Sequence, residues 1–174
     1  MKTLHTKHLL LRPWEITDAE ALYTQAHNPI IGKRCGWPPH KSVEESREII
    51  EVVLSKSHSF AICLPNNTPI GSIGLLLQGE SNLPIGENEA EIGYWIGEDF
   101  WGKGYVTEAA LRVLQYAFEQ LHLTGLWAVA YEENIASQRV LEKCRFRYHH
   151  TLEEFLFPLI GERHTSLVYT LKKQ

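Results

Sequence analysis

Three glycines sit in Gly97-Glu98-Asp99-Phe100-Trp101-Gly102-Lys103-Gly104-Tyr105, immediately ahead of a strongly periodic apolar segment. Glycine lets a backbone approach a ligand closely. The first turn of a helix also presents N–H groups without intrahelical partners, backed by the helix dipole. That combination suits a phosphate-bearing ligand, with Lys103 either a charge at its rim or a solvated side chain. The spacing excludes two other phosphate motifs. The Gly-Lys pair lacks the four-residue spacer and Ser/Thr of a P-loop, and Thr107 stands where a dinucleotide fingerprint has its third glycine. Just upstream, Glu89 and Glu91 share one face of an alternating segment, as a general base beside the ligand or as plain strand carboxylates. Downstream, Asn134 and Ser137 have the spacing of a helix N-cap and its N3 residue, so capping is their first use.

These groups need strands and helices to hold them. Glu89 to Ile96 alternates Ala90, Ile92, Tyr94 and Ile96 with Glu89, Glu91, Gly93 and Trp95, which reads as a strand with one apolar face. After the glycine turn, Val106, Ala109, Ala110, Val113, Leu114, Ala117, Phe118 and Leu121 form the apolar stripe of a helix that must face a sheet. Before the turn the pattern predicts a strand over 8–14, a helix opened by the capping box Thr17-Asp18-Ala19-Glu20, and a loop from Asn28 to Lys41. A second capping box, Ser42-Val43-Glu44-Glu45, opens another helix, and a hairpin follows over 59–64 and 70–78. After it come a strand over 125–131, a short helix over 134–143, and strands over 146–152 and 165–171. The sum is an α/β fold, a mixed and mostly antiparallel central sheet of six to seven strands with helices on both faces.

The 174 residues suit a single domain spanning 1–174, with no repeat, linker or low-complexity tract. No apolar run approaches the roughly 20 residues of a membrane span, and Met1 leads into no signal-type segment. Cys35, Cys63 and Cys144 are odd in number and widely spaced, against both a disulfide framework and a zinc site, and a reducing, cytoplasmic compartment is the natural reading. The formal charge of −4 arises from interspersed acids and bases. No basic run follows a nucleic-acid backbone, so no nucleic acid and no membrane partner is expected. Nine histidines include no metal-ligand spacing, and no metal is assigned.

Four blocks, in order, resemble the GNAT superfamily of N-acetyltransferases, and more narrowly the branch similar to enzymes that acetylate ribosomal-protein N-termini. They are Leu9-Leu10-Leu11-Arg12-Pro13-Trp14, Ala90-Glu91-Ile92-Gly93-Tyr94-Trp95-Ile96, Trp101-Gly102-Lys103-Gly104-Tyr105-Val106-Thr107-Glu108-Ala109, and Asn134 to Lys143 with Phe146. The resemblance implies acetyl-CoA as co-substrate. Its contacts would come from Ile96, Trp101, Gly102, Lys103, Gly104, Tyr105, Val106 and Thr107, and from Asn134 along the pantetheine arm. The family's pyrophosphate motif, Gln/Arg-x-x-Gly-x-Gly/Ala, falls on Trp101, Gly104 and Val106. Trp101 is familiar in this branch, whereas the branched Val106 replaces a small residue. Arg145 likewise stands where relatives usually have glycine.

The resemblance also places the Glu89–Ile96 strand beside the thioester. Glu91 is then the candidate base, with Glu89 its weaker rival, and Ser137 the candidate group that protonates or binds the departing thiolate. Many family members use a tyrosine in this helix as the acid, and the matching position is Leu141. Acceptor selection falls to the loop Asn28 to Lys41 and the segment Phe155 to His164, with Trp37 and Trp95 as candidate substrate contacts and packing as the alternative use of Trp37. The expected activity is direct acetyl transfer to a primary amine, a peptide or protein N-terminal α-amine. The competing readings are acetylation of a small amine (polyamine, amino acid or aminoglycoside) and a non-catalytic acyl-CoA-binding sensor. A monomer and a homodimer are both compatible with the sequence.

Overall fold

A computed structural model describes residues 2–173. They form one sheet from β1 (Leu4–His5), β2 (Leu10–Arg12), β3 (Ser59–Cys63), β4 (Pro69–Leu77), β5 (Glu89–Ile96), β6 (Gly125–Tyr131), β7 (Arg147–Phe157) and β8 (Glu162–Lys172). The helices are α1 (Ala19–Ala26), α2 (Pro29–Cys35), α3 (Val43–Ile49), α4 (Tyr105–Glu119) and α5 (Ile135–Lys143). Strand order is β1-β2-β3-β4-β5-β6-β8-β7. Every pairing is antiparallel except β5 with β6.

The alternation of the strands sorts the core into two layers, because successive side chains leave a strand on opposite sides. Phe60 and Ile62 of β3 point to the larger cluster with Ile73, Ile92 and the α4 stripe, while Ala61 and Cys63 point to the cluster of Trp14, Leu22 and Ile50. Helices therefore cover both faces. In α4 the predicted stripe is the buried one, through Ala109, Ala110, Val113, Leu114 and Ala117. A fully buried Val or Leu there contributes about 1.5–3 kcal/mol relative to exposure.

The structure corrects the sequence reading at four points. The sheet has eight strands, not six to seven, because the two-residue β1 is too short to show a period yet pairs Leu4 with Leu11 and buries Leu4 completely. The expected loop from Asn28 holds α2, with Pro29 and Gly36 as its boundary signals. Pro29 sits at its start behind the Asn28 side chain, which accepts from Ile30 N at 3.0 Å, and Gly36 closes it at φ 78°. The Thr17 capping box is not used either. A 3₁₀ turn over Ile16–Asp18 precedes α1, and Asp18 is held by Arg12 while accepting from Glu15 N at 2.9 Å. Finally, β7 and β8 run on to Phe157 and back from Glu162, so Pro158 and Gly161 belong to the tip of one long hairpin.

Arg12 and Asp18 form a buried two-pronged pair at 2.7 and 2.9 Å, and the remaining Arg12 donors go to Asn67 Oδ1 at 2.7 Å, Pro13 O at 2.9 Å and Asn67 O at 3.3 Å. The Leu-Arg-Pro segment thus locks β2 to the start of α1 and the β3–β4 turn. At the far end of α5, Arg145 takes the left-handed conformation itself, at φ 66°. Phe146 N donates to Leu141 O at 3.0 Å and Arg145 N to Glu142 O at 2.9 Å, a helix stop that usually uses glycine.

Candidate active site

The glycine turn is built from both sides. Trp101 Nε1 donates to Ile96 O at 3.0 Å, tying the turn back to the end of β5. Gly102 and Gly104 have φ 74° and 78°, and a Cβ on either would meet nothing within 4 Å, so both face open space. The first intrahelical bond of α4 runs from Glu108 N to Gly104 O at 3.0 Å. The N–H groups of Tyr105, Val106 and Thr107 precede it and are left for a ligand. Val106 is partly buried against the core under α4 and also touches the cleft. The Arg34 guanidinium lies 4.5 Å from the Trp101 ring, adding positive charge at the edge. Lys103 lies over Phe100 at 5.2 Å instead of lining the cleft.

Beyond the turn the sheet opens. β5 and β6 pair only from Glu89–Gly125 to Glu91–Trp127, although the strands continue to Ile96 and Tyr131. Their diverging ends leave a wedge with unpaired backbone edges, and Gly93 stands in it with no atom within 4 Å of where its Cβ would be. A single cleft of about 810 Å³ runs through this wedge. It touches Ile96, Trp101, Gly102, Gly104, Tyr105, Val106 and Thr107 at one end, Asn134 and Ser137 along α5, and Glu91, Trp95 and Trp37 on the other side.

The two carboxylates separate clearly. Glu91 accepts from Ser81 Oγ at 2.7 Å, and burial raises its carboxyl above the usual range while the Ser81 and Asn82 hydrogen bonds oppose that shift. A carboxylate with a raised pKa is a better proton acceptor near neutrality. For Glu89, burial pulls upward, but the hydrogen bonds from Lys172, Gly86 N and Trp127 Nε1 prevail and hold it down at about 2. Glu89 is a structural anion outside the cleft, bridging β5, β6 and β8.

Across the wedge, Asn134 Oδ1 accepts from Ser137 N at 3.2 Å, the expected cap. Capping leaves the Ser137 hydroxyl available, and the phenol of Tyr94 meets it at 3.0 Å. Leu141 is buried at 2% exposure, so α5 brings no second hydroxyl to the cleft from that position.

The opposite wall is aromatic. Trp37 meets Trp95 edge to face at 5.7 Å and also packs with the Trp14 cluster, so it serves both packing and cleft lining. Arg34 and Cys35 of α2 with Gly36 that closes it, and Phe157, Pro158 and Leu159 at the hairpin tip, complete this side. Burial pushes the Cys35 thiol up to about 12, against the opposing Arg34 charge, so it is no thiolate nucleophile at neutral pH. Tyr131 stacks on His164 at 4.5 Å, and its buried hydroxyl has no partner among the described residues. No local signal in the sequence singles out Tyr94 or Tyr131. Each reads as an apolar-face strand residue, and the hydroxyl's target lies far away in the chain. Among the described residues there is no group of three metal-ligating side chains.

Comparison with known proteins identifies the family and the fold. Residues 8–147 match the family model described as Acetyltransferase (GNAT) domain. The chain is 29% identical over 161 residues to "Uncharacterized N-acetyltransferase p20" of Bacillus licheniformis, covering 89% of this chain and 88% of that one. It is 36% identical over 93 residues to "Putative ribosomal N-acetyltransferase YdaF" of Bacillus subtilis, covering 53% and 50%. The fold is shared with the Microcin C7 self immunity acetyltransferase MccE, solved with acetyl-CoA and AMP, at a TM-score of 0.80 and 22% identity over 96% of this chain and 93% of that one. With the family pattern running from β2 into β7 across the turn, the wedge and α5, the chain is a member of the GNAT acetyltransferase family.

Proposed function

We propose that this acetyltransferase moves an acetyl group from acetyl-CoA to a peptide or protein N-terminal α-amine, directly and within a ternary complex. The observation that carries this reading is the single cleft that joins the glycine turn, the β5–β6 wedge, Ser137 and Glu91. The pyrophosphate is held by the N–H groups from Gly102 to Thr107, and the pantetheine arm passes Ile96 and Asn134. When bound, acetyl-CoA supplies the activated acetyl group. The acceptor enters from the Trp37 and Trp95 side. Glu91 takes the amine proton, directly or through water, as the C–N bond forms. Unpaired backbone N–H groups at the wedge stabilise the oxyanion, and Ser137 meets the sulfur as the C–S bond breaks. The elevated Cys35 thiol supports direct transfer over an acyl-cysteine route.

The Bacillus subtilis relative named for ribosomal N-acetylation supports a protein acceptor, as does the aromatic wall between α2 and the hairpin tip. Calorimetric titration with acetyl-CoA, beside dephosphorylated nucleotides and NAD, tests the cofactor. Peptides with free N-termini, run against polyamines, amino acids and aminoglycosides, then test the acceptor. The expected result is micromolar acetyl-CoA binding and turnover of peptides. Turnover confined to small amines overturns the acceptor assignment, and no binding at millimolar acetyl-CoA overturns the whole reading.

A further inference from the structure

We infer that Tyr94 is a positioning residue for the leaving group, donating its phenolic proton to Ser137 Oγ so that the serine's own proton points at the thioester sulfur. The inference rests on the proposed role of Ser137 and goes beyond it by naming what aims that hydroxyl. Tyr94 lies on the core-facing side of β5 with Ile92 and Ile96, and its oxygen is 3.0 Å from Ser137 Oγ and 3.3 Å from Ser137 O. These are its recorded partners, both on one residue of α5. The N-terminus of that helix is fixed by the Asn134 cap, so serine and phenol are held from two separate elements.

Two arrangements of protons are compatible with these distances. If the phenol donates to the Ser137 carbonyl, its oxygen accepts from the serine and turns that proton away from the cleft. If it donates to Oγ, the serine proton is released toward the wedge. Both use the 3.0 Å contact between the two hydroxyls, and a phenol is by nature the more acidic of the pair, which favours it as the donor to Oγ. A hydroxyl that accepts one hydrogen bond also becomes a stronger donor of the next. Burial raises the Tyr94 pKa, with the Ser137 contact opposing it, and the phenol therefore keeps its proton through the working pH range. The step balances without an added reactant. Electrons of the C–S bond go to sulfur, the thiolate accepts a hydrogen bond from Ser137, Glu91 holds the amine proton, and both are released to solvent with the products. Neither hydroxyl changes its ionisation.

The test is Tyr94→Phe in the full chain, with Ser137→Ala and the double variant. The expected result for Tyr94→Phe is a fall of about tenfold in kcat, the factor that corresponds to one modest hydrogen bond, with KM for acetyl-CoA within about twofold of the parent value. The thiol of bound CoA, followed by its ultraviolet thiolate absorbance, should titrate at higher pH in both single variants. The double variant should match Ser137→Ala alone. A fluorinated tyrosine placed at position 94 keeps the shape and strengthens the donor, so it should move the thiol titration the other way and serves if the Phe variant folds poorly. Parent-like kcat and thiol titration in Tyr94→Phe, alongside a damaged Ser137→Ala, overturn this inference and leave the proposed function standing. A fully active Ser137→Ala overturns the role of Ser137 and this inference together.

Discussion

Replacing Gly104 by Ala separates what the glycine turn does for folding from what it does for the ligand. At φ 78° an added Cβ costs about 1–2 kcal/mol in backbone strain. It has no neighbour within 4 Å, so no clash adds to that cost. Alanine recovers about 0.4–1 kcal/mol by restricting the unfolded chain. The net loss is then about 1 kcal/mol, or roughly 2–4 °C in Tm for a chain of this size. Binding should suffer more, because the Cβ projects into the space where a pyrophosphate would contact the backbone. Losing one or two charged hydrogen bonds costs about 2–4 kcal/mol, or roughly 30- to 1000-fold in Kd. Gly79 provides a matched control, with φ 87°, open space around its Cβ and no place on the cleft wall. Thermal unfolding and acetyl-CoA calorimetry on Gly104→Ala and Gly79→Ala should give similar Tm losses but weakened binding only for the former. Equal binding by the two variants would refute the assignment of the pyrophosphate to this turn.

Because burial raises Glu91, activity should fall as pH drops through a limb lying above the ordinary glutamate range. Ser81→Ala removes a hydrogen bond to the charged form, so that limb of the kcat/KM profile should move further up, and a downward move would exclude Glu91 as the base. Asp18→Asn leaves the buried Arg12 charge without its partner and should cost about 3–5 kcal/mol by urea unfolding. A loss below about 1 kcal/mol would mean that the pair is not what locks β2 to α1. Arg145→Gly relieves a left-handed residue and should stabilise the fold by about 0.5–1 kcal/mol net of the unfolded-state entropy, read as a higher urea midpoint with activity unchanged.

Periodicity revealed the parts of the fold whose packing is decided by one neighbouring layer. β5 and β6 have the boundaries that alternation and apolar runs predicted, and α4 buries the predicted stripe, because one partner surface sets each pattern. The misread parts depend on longer-range contacts. The Thr17 capping box fails because Arg12 holds Asp18, and Arg12 is oriented in turn by Asn67, far along the chain. α2 was hidden because Pro29 and Gly36 act as punctuation at its two ends, and the same residues also mark loops. For the candidate site, glycine spacing pointed to the turn, whereas Asn134 and Ser137 read locally as a helix cap, which the structure has, and entered the candidate site through the family resemblance. Nothing local distinguishes Glu91 from Glu89. The difference comes from Lys172 and Trp127, whose hydrogen bonds keep one carboxylate ionised, and from the burial around the other, which raises it against the hydrogen bond from Ser81.

The period of two along β5 puts the proposed base and the proposed leaving-group contact on opposite sides of the sheet. Glu91 and Tyr94 are three residues apart, an odd number, so their side chains must leave the strand on opposite faces. Tyr94 goes to the α4–α5 side, where it finds Ser137, and Trp95 goes with Glu91 to the side closed by Trp37. A reaction using both must cross the plane of the sheet, and a paired sheet would block the passage. The β5–β6 ladder ends at Glu91–Trp127, two residues before Gly93, so the opening begins where the proposed crossing is needed and Gly93 has no side chain to fill it. On the proposed chemistry the cofactor approaches from the α4 side and the amine from the α2 side, meeting in the wedge. That geometry suits the proposed direct transfer without a protein-bound intermediate. Each reactant has its own face, and the opened strands are the one place where the two meet.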